Sequence, residues 1–117
     1  MRKEDVSFIR KGEGKDLVFL HGYLSSKEAF LPFLDYFSGR YRVTAFDFCG
    51  FGQSAPLTSP FSVSDYAAWT GEAFRLLGIE KPYCIAHSFG CRVAVKMQAI
   101  APLGKEIFDK MIFTGPA

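Results

Sequence analysis

The run Lys81-Pro82-Tyr83-Cys84-Ile85-Ala86-His87-Ser88-Phe89-Gly90-Cys91-Arg92-Val93-Ala94-Val95 holds the chemistry of this chain. A short apolar strand enters a serine set among small residues and leaves as an apolar helix. A turn that sharp requires small residues two before and two after the serine, here Ala86 and Gly90. Strain pushes the Ser88 hydroxyl out of the fold, and the helix behind it aims free backbone N–H groups at the same point. Such a serine can attack a carbonyl carbon and carry a covalent intermediate. The plainer reading is a serine that caps the following helix.

An attacking serine needs a base and an acid. The chain has two histidines, His21 and His87, both before the serine. His87 abuts Ser88, but successive side chains of a strand point to opposite faces, which places it badly for taking the serine proton. His21 ends a neighbouring strand and is expected to order the loop after it by hydrogen bonding. Asp47 is expected at the same sheet edge, about 10 Å away laterally with one strand between. A turn-forming role, its carboxylate accepting from nearby backbone N–H groups, is expected there. Glu106 and Asp109 precede the last strand and so lie about 15 Å below the serine along a parallel sheet. They cannot supply the acid.

The elements that must position these residues alternate between strand and helix. Val6–Arg10 alternates as a half-buried strand, and Gly12-Glu13-Gly14 is a turn. Asp16–Leu20 is a continuous apolar run suited to a strand buried on both faces. Ser25-Ser26-Lys27-Glu28 has the spacing of a capping box, with a helix from Leu31-Pro32 to before Gly39. Tyr41–Phe46 is the next strand. A turn-rich loop follows, and Ser62 or Ser64 caps a helix that Gly78 ends. The nucleophile strand runs Pro82–His87, a helix runs from about Phe89 to Ala101, and Lys110–Thr114 is the last strand. Phe30, Phe33, Phe37, Trp69 and Phe74 recur at helical spacing and read as core. The alternation predicts an α/β fold: a mostly parallel sheet with helices on both faces. Ligands of such sheets bind beyond the carboxyl ends of the strands. His21-Gly22, Asp47 and Ser88 all fall at those ends.

Composition narrows the class. The 117 residues are 49% hydrophobic with 13 Phe, enough for one domain and one core. The 22% charged fraction argues against disorder. A net charge of +2 without a Lys/Arg run gives no nucleic-acid signature. Leu17–Leu20 is far too short to span a membrane. The charged start Met1-Arg2-Lys3-Glu4-Asp5 is followed by no apolar signal core, which points to the cytoplasm. Cys49, Cys84 and Cys91 lack metal-ligand spacing and are odd in number, so buried free thiols are expected and no metal.

Three motifs in order carry a family resemblance: Leu20-His21-Gly22-Tyr23, the turn Asp47-x-x-Gly50-x-Gly52-x-Ser54, and Ala86-His87-Ser88-Phe89-Gly90. Together the chain resembles the α/β-hydrolase superfamily in its esterase and C–C-bond hydrolase region. The stretch Met111–Ala117 resembles that fold's sixth strand and its exit loop. The resemblance implies that residues 1–117 are the amino-terminal portion of a single hydrolase domain, a partial core ending after the sixth strand. It implies Ser88 as nucleophile, with backbone N–H groups of Tyr23 and Phe89 as the oxyanion hole. It implies an acid and then a histidine downstream of the serine; no histidine follows Ser88 here, and the acids Glu106 and Asp109 are expected at the wrong end of the sheet. It implies no cofactor and a small-molecule acyl substrate. Ala86 stands for the usual first glycine, Cys91 for a common second one, and Cys49 for a common proline.

Two readings follow. The chain is part of a cofactor-free serine hydrolase of carboxylic esters or related acyl compounds, inactive by itself. Alternatively, it is a non-catalytic binding or assembly module on a degenerate hydrolase half. In the first reading the apolar last strand, left at a sheet edge, is expected to make the isolated chain marginally stable or self-associating, by pairing through that edge, binding a complementing fragment or aggregating; a clean monomer would favour the second.

Overall fold

The computed structural model describes residues 1–115. Its sheet holds β1 (Phe8–Lys11), β2 (Lys15–Leu20), β3 (Tyr41–Phe46), β4 (Tyr83–His87) and β5 (Lys110–Thr114) in the order β1-β3-β2-β4-β5. The β2–β3, β2–β4 and β4–β5 pairs are parallel, and β1 joins β3 antiparallel. The fold is the partial α/β-hydrolase core that the sequence implied. Of the expected exit loop, Pro116 and Ala117 lie outside the described residues.

Helix α1 (Leu31–Phe37) covers one sheet face, while α2 (Val63–Leu76) and α3 (Phe89–Ile100) cover the other. The alternation of side chains along each strand sorts the core in two. Leu17, Phe19, Val43 and Ala45 meet Phe30 and Leu34 on the α1 side. Val18, Leu20, Cys84 and Ala86 meet Ala73, Phe74, Val93 and Ala94 on the other.

Local chemistry sets the boundaries of α2. The Ser62 hydroxyl accepts from the Asp65 N–H at 3.1 Å, and the Asp65 carboxylate accepts from the Ser62 N–H at 2.8 Å. This is a reciprocal capping box. At the other end Gly78 takes a φ of +68°, and the Ile79 N–H returns to the Phe74 carbonyl at 2.8 Å. That left-handed stop is where glycine is favoured.

Two expectations need correction. Ser25–Glu28 forms no capping box: Lys27–Phe30 is a 3-10 turn whose Ser26 makes no side-chain cap bond. Lys27 turns inward, to Asp47, so the segment follows that ion pair. Phe33 is also not core, being 49% exposed beside an uncovered part of the sheet.

The chain leaves β2 toward β3, then crosses β2 to reach β4 and continues outward to β5. The direction of winding therefore reverses between β2 and β4. A crevice opens where two loops diverge at such a switch point, here between His21-Gly22 and Ser88. No helix is long and apolar enough to cross a membrane among the described residues.

Candidate active site

Ser88 sits between β4 and α3 at φ 50°, ψ −114°. A side chain rarely adopts this backbone, which belongs to the first central position of a type II′ turn. The surroundings hold it there. The Ser88 N–H donates to the Thr114 carbonyl at 3.0 Å, and its own carbonyl accepts from the Cys91 N–H at 3.0 Å. The Cys91 thiol, buried behind the turn, donates to the Ala86 carbonyl at 3.3 Å.

The small residues have steric causes. A Cβ on Gly90 would collide with the Leu20 carbonyl oxygen and lie 2.8 Å from its carbonyl carbon. The first turn of α3 thus rests directly on the backbone that ends β2. A Cβ on Gly22 would stand 3.3 Å from the Ser88 Cβ. The loop carrying Tyr23 therefore passes in van der Waals contact with the serine.

That loop turns back at once. The Ser25 N–H donates to the Gly22 carbonyl at 3.2 Å, with Leu24 at a φ of +59°. The rings of Tyr23 and Phe89 meet edge to face, with centroids 6.2 Å apart. Phe51 and Tyr66 extend this aromatic cluster around Phe89, the residue that follows the serine. The Tyr23 ring is largely exposed, so it forms rim more than core.

His21 spans the gap between the β2 and β3 exits. Its Nδ1 lies 2.7 Å from the Gly22 carbonyl, and its Nε2 accepts from the Phe48 N–H at 3.0 Å. A nitrogen that accepts from an amide carries no proton, so the ring is neutral with its proton on Nδ1. Burial holds its pKa below the ordinary histidine value. Both nitrogens are occupied, and the ring packs on Phe48 with centroids 4.6 Å apart. The residue orders the loop, as the sequence suggested.

Asp47 is fully buried and acts on backbone. Its carboxylate accepts from the Lys27 N–H at 2.7 Å, the Gln53 N–H at 2.9 Å and Lys27 Nζ at 2.8 Å. Burial alone would raise its pKa; the hydrogen bonds from Gln53 and Lys27 outweigh it and hold the carboxyl below its usual range. Gly52, at a φ of +50°, brings the turn against that carboxylate, leaving no room for a Cβ. Ser54 completes the knot, donating to the Asp47 carbonyl at 2.6 Å and accepting from the Ser7 N–H at 2.9 Å. Nothing in the sequence marks Lys27 as buried.

His87 points away from the serine, onto the α1 face. Its Nδ1 lies 2.9 Å from Thr114 Oγ1 on the adjacent strand. It borders an apolar cavity of about 460 Å³ with Phe30, Phe33, Ile85 and Ile112. A hollow of about 560 Å³ between α2 and α3, around Gly71, Met97 and Ile100, borders none of the residues above. Asp109 pairs with Lys15 at 3.0 Å, at the amino ends of the strands. The three cysteines are buried and free.

Comparison with known proteins agrees with this architecture. Residues 16–117 match the model of the alpha/beta hydrolase fold. The (E)-2-((N-methylformamido)methylene)succinate hydrolase of Acinetobacter baylyi is 30% identical over 95 residues, covering 81% of this chain and 36% of that protein. An uncharacterized carboxylesterase of Bacillus subtilis is 39% identical over 75 residues, 63% of this chain and 25% of that protein. Among solved structures, an N-acyl homoserine lactonase superposes with a TM-score of 0.84 at 28% identity, over 95% of this chain and 41% of its own. The chain thus spans between a quarter and two fifths of the length of these relatives. With the motifs in order along the sheet's carboxyl edge, the chain belongs to the alpha/beta hydrolase fold family.

Proposed function

We propose that this chain carries the nucleophile half of a cofactor-free serine hydrolase acting on a carboxylic ester or related acyl substrate. The carrying observation is Ser88 held at φ 50°, ψ −114° between strand and helix, against the loop that follows β2. In this reading the Ser88 oxygen attacks the acyl carbon. The carbonyl oxygen gains negative charge, and backbone N–H groups of Tyr23 and Phe89 receive it. One such donor contributes about 3 kcal/mol to the transition state.

The base and acid come from outside these 117 residues. His21 and His87 are the chain's histidines. The first is tied at both nitrogens, and the second is directed to Thr114. Neither is in position to take the serine proton. Asp47 is committed to the Lys27 and Gln53 amides. Names among the relatives, a succinate-derivative hydrolase and a carboxylesterase, support hydrolysis as the reaction class.

Chemical rescue tests the assignment. Imidazole in solution replaces an absent histidine base, and a nitrophenyl acetate ester supplies an acyl group. Peptide mass spectrometry then reads the acetylated sites. The expected result is an acetyl group on Ser88 that increases with imidazole and disappears in Ser88→Ala. Acetylation of Ser88 no faster than that of exposed Ser64 would reject the nucleophile and favour a non-catalytic module.

A further inference from the structure

The turn that carries Tyr23 hangs from one place on the sheet. Before it, His21 at the end of β2 accepts the Phe48 N–H through Nε2 at 3.0 Å. After it, the Lys27 N–H donates to Asp47 Oδ1 at 2.7 Å, and Lys27 Nζ donates to Asp47 Oδ2 at 2.8 Å. Both arms thus close on Asp47-Phe48, the two residues that follow β3. Between the arms the Ser25 N–H donates to the Gly22 carbonyl at 3.2 Å, with Leu24 at a φ of +59°. A leucine resists that backbone, so the turn keeps its shape only while its ends are held.

The two arms are built differently. His21 takes a single amide through a neutral ring. The Lys27 arm ends in a buried ammonium that also meets Glu28 Oε2 at 3.0 Å and Gln53 Oε1 at 3.2 Å. A buried ion pair is a poor source of stability, since apolar residues of similar volume are often as stable. What this pair fixes is place. The Asp47 carboxylate holds the Lys27 amide with one oxygen and the ammonium with the other, so residue 27 cannot slide or rotate without breaking a bond. Only Leu24, Ser25 and Ser26 separate it from Tyr23. On the far side of Tyr23, Gly22 runs against the Ser88 Cβ.

We propose that Lys27 is a positioning residue for the reaction at Ser88: its ammonium, through Asp47, sets where the Tyr23 backbone N–H stands. This rests on the reading of Ser88 as nucleophile and of the Tyr23 N–H as an oxyanion donor. Lys27 itself touches no reacting atom and moves no proton. A donor helps only at the point where the oxyanion forms, and a misplacement of about 1 Å can cost about a hundredfold in rate. Replacing the ammonium by an apolar group of similar length leaves the Lys27 amide on Asp47 and keeps the fold, but frees residue 27 to shift and the donor with it.

The test uses imidazole-assisted acylation of Ser88 by nitrophenyl acetate and by its thiono analogue, in which sulfur replaces the carbonyl oxygen. Sulfur is larger and a poorer acceptor, so the thiono ester draws little from backbone N–H donors. Peptide mass spectrometry reads Ser88 in the full chain, in Lys27→Met and in Lys27→Arg. Lys27→Met should keep the far-ultraviolet dichroism of the wild type. With the oxygen ester it should acylate about tenfold or more slowly, and with the thiono ester within about twofold of the wild type. Lys27→Arg, which keeps a cation against Asp47, should recover most of the oxygen-ester rate. A purely structural residue would slow both esters alike. Equal slowing of the two esters, an unslowed oxygen ester, no recovery in Lys27→Arg, or an unfolded Lys27→Met would overturn the proposal while leaving Ser88 as nucleophile. A wild-type chain whose Ser88 is acylated by neither ester would reject the nucleophile itself, and the proposal with it.

Discussion

Lys27 and Asp47 form an ion pair inside the protein: Nζ stands 2.8 Å from Oδ2, with the side chains 4% and 0% exposed. Burial disfavours both charges, and the pairing prevails in both. The Lys27 ammonium is held above its ordinary pKa by Asp47 and Glu28, and the Asp47 carboxyl below its own. Through this pair the end of β3 grips the segment that follows the Tyr23 loop.

The two partners differ in what their loss leaves behind. Asp47→Ala strands the amides of Lys27 and Gln53 and leaves the ammonium only Glu28 and the Gln53 side chain, and should destabilise by about 3–5 kcal/mol. Lys27→Met leaves the carboxylate with two amide donors and should cost distinctly less. Urea unfolding of both variants measures the order. A larger loss for Lys27→Met would mean that the ammonium, not the amide bonds, holds the turn.

His21 makes folding sensitive to mild acid. Its folded pKa lies below that of an exposed histidine, so the unfolded chain binds the proton more readily. Its contribution is complete above about pH 6.5 and is lost as the pH falls toward the folded value. Asp47 acts in the same direction at lower pH, from about 3.9 downward. Stability from urea unfolding should therefore drop as the pH falls from about 6.5 toward about 5. The drop should shrink in His21→Gln. An identical slope in that variant would assign the acid sensitivity elsewhere.

Ser88 stores strain that a glycine would release. Backbone of this kind costs about 1–3 kcal/mol in a residue bearing a Cβ. Glycine returns about 0.5–1 kcal/mol of this through the freedom it has unfolded. Ser88→Gly should thus be about 1 kcal/mol more stable than Ser88→Ala. Thermal unfolding of the pair decides. Equal stabilities would mean that the bond to the Thr114 carbonyl and the bond from the Cys91 N–H do not hold the serine against a resisting backbone.

The sequence carried the frame of this site because periodicity and punctuation are local. Strand β2, helix α2 with Ser62 and Gly78, and the turn at Ser88 all lie close to where their residues placed them. The structural duty of Asp47 was equally legible, since an aspartate before a glycine-rich turn tends to bind amides. Lys27 was not. In Ser26-Lys27-Glu28 it reads as the exposed start of a helix, and its burial depends on a carboxylate twenty positions away. Phe33 misled for a related reason. Helical spacing shows which residues share a face, not whether that face is covered.

Two glycines should respond in opposite ways to alanine. At Gly90 the added Cβ meets the backbone of Leu20, which cannot rotate aside. The loss should reach the upper end of the usual overpacking range, about 3 kcal/mol. Gly71, within α2, has nothing within 4 Å of the added carbon. Alanine there should stabilise by about 0.5–1 kcal/mol through helix propensity. Chemical denaturation of both variants tests the packing of α3 on β2. A tolerated Gly90→Ala would mean that α3 can withdraw from the β2 terminus, and Ser88 with it.

The chain alone should hydrolyse a chromogenic short-chain ester no faster than Ser88→Ala does. Among the described residues no side-chain base stands beside the serine hydroxyl: His21 gives Nε2 to the Phe48 amide, and His87 turns to Thr114. Base catalysis normally contributes about two to four orders of magnitude, and in the proposed reading its absence would leave only what the proposed Tyr23 and Phe89 donors supply. Backbone N–H groups stabilise charge on the carbonyl oxygen but cannot remove the serine proton, so the serine remains a weak nucleophile. A rate in the wild type well above that of Ser88→Ala would require a base within the chain. The first place to look would be His87, whose bond to Thr114 would then have to break and let the ring swing to the other side of β4. Thr114→Val separates these cases: it should leave a serine-independent background unchanged, and should alter the rate if His87 is the base.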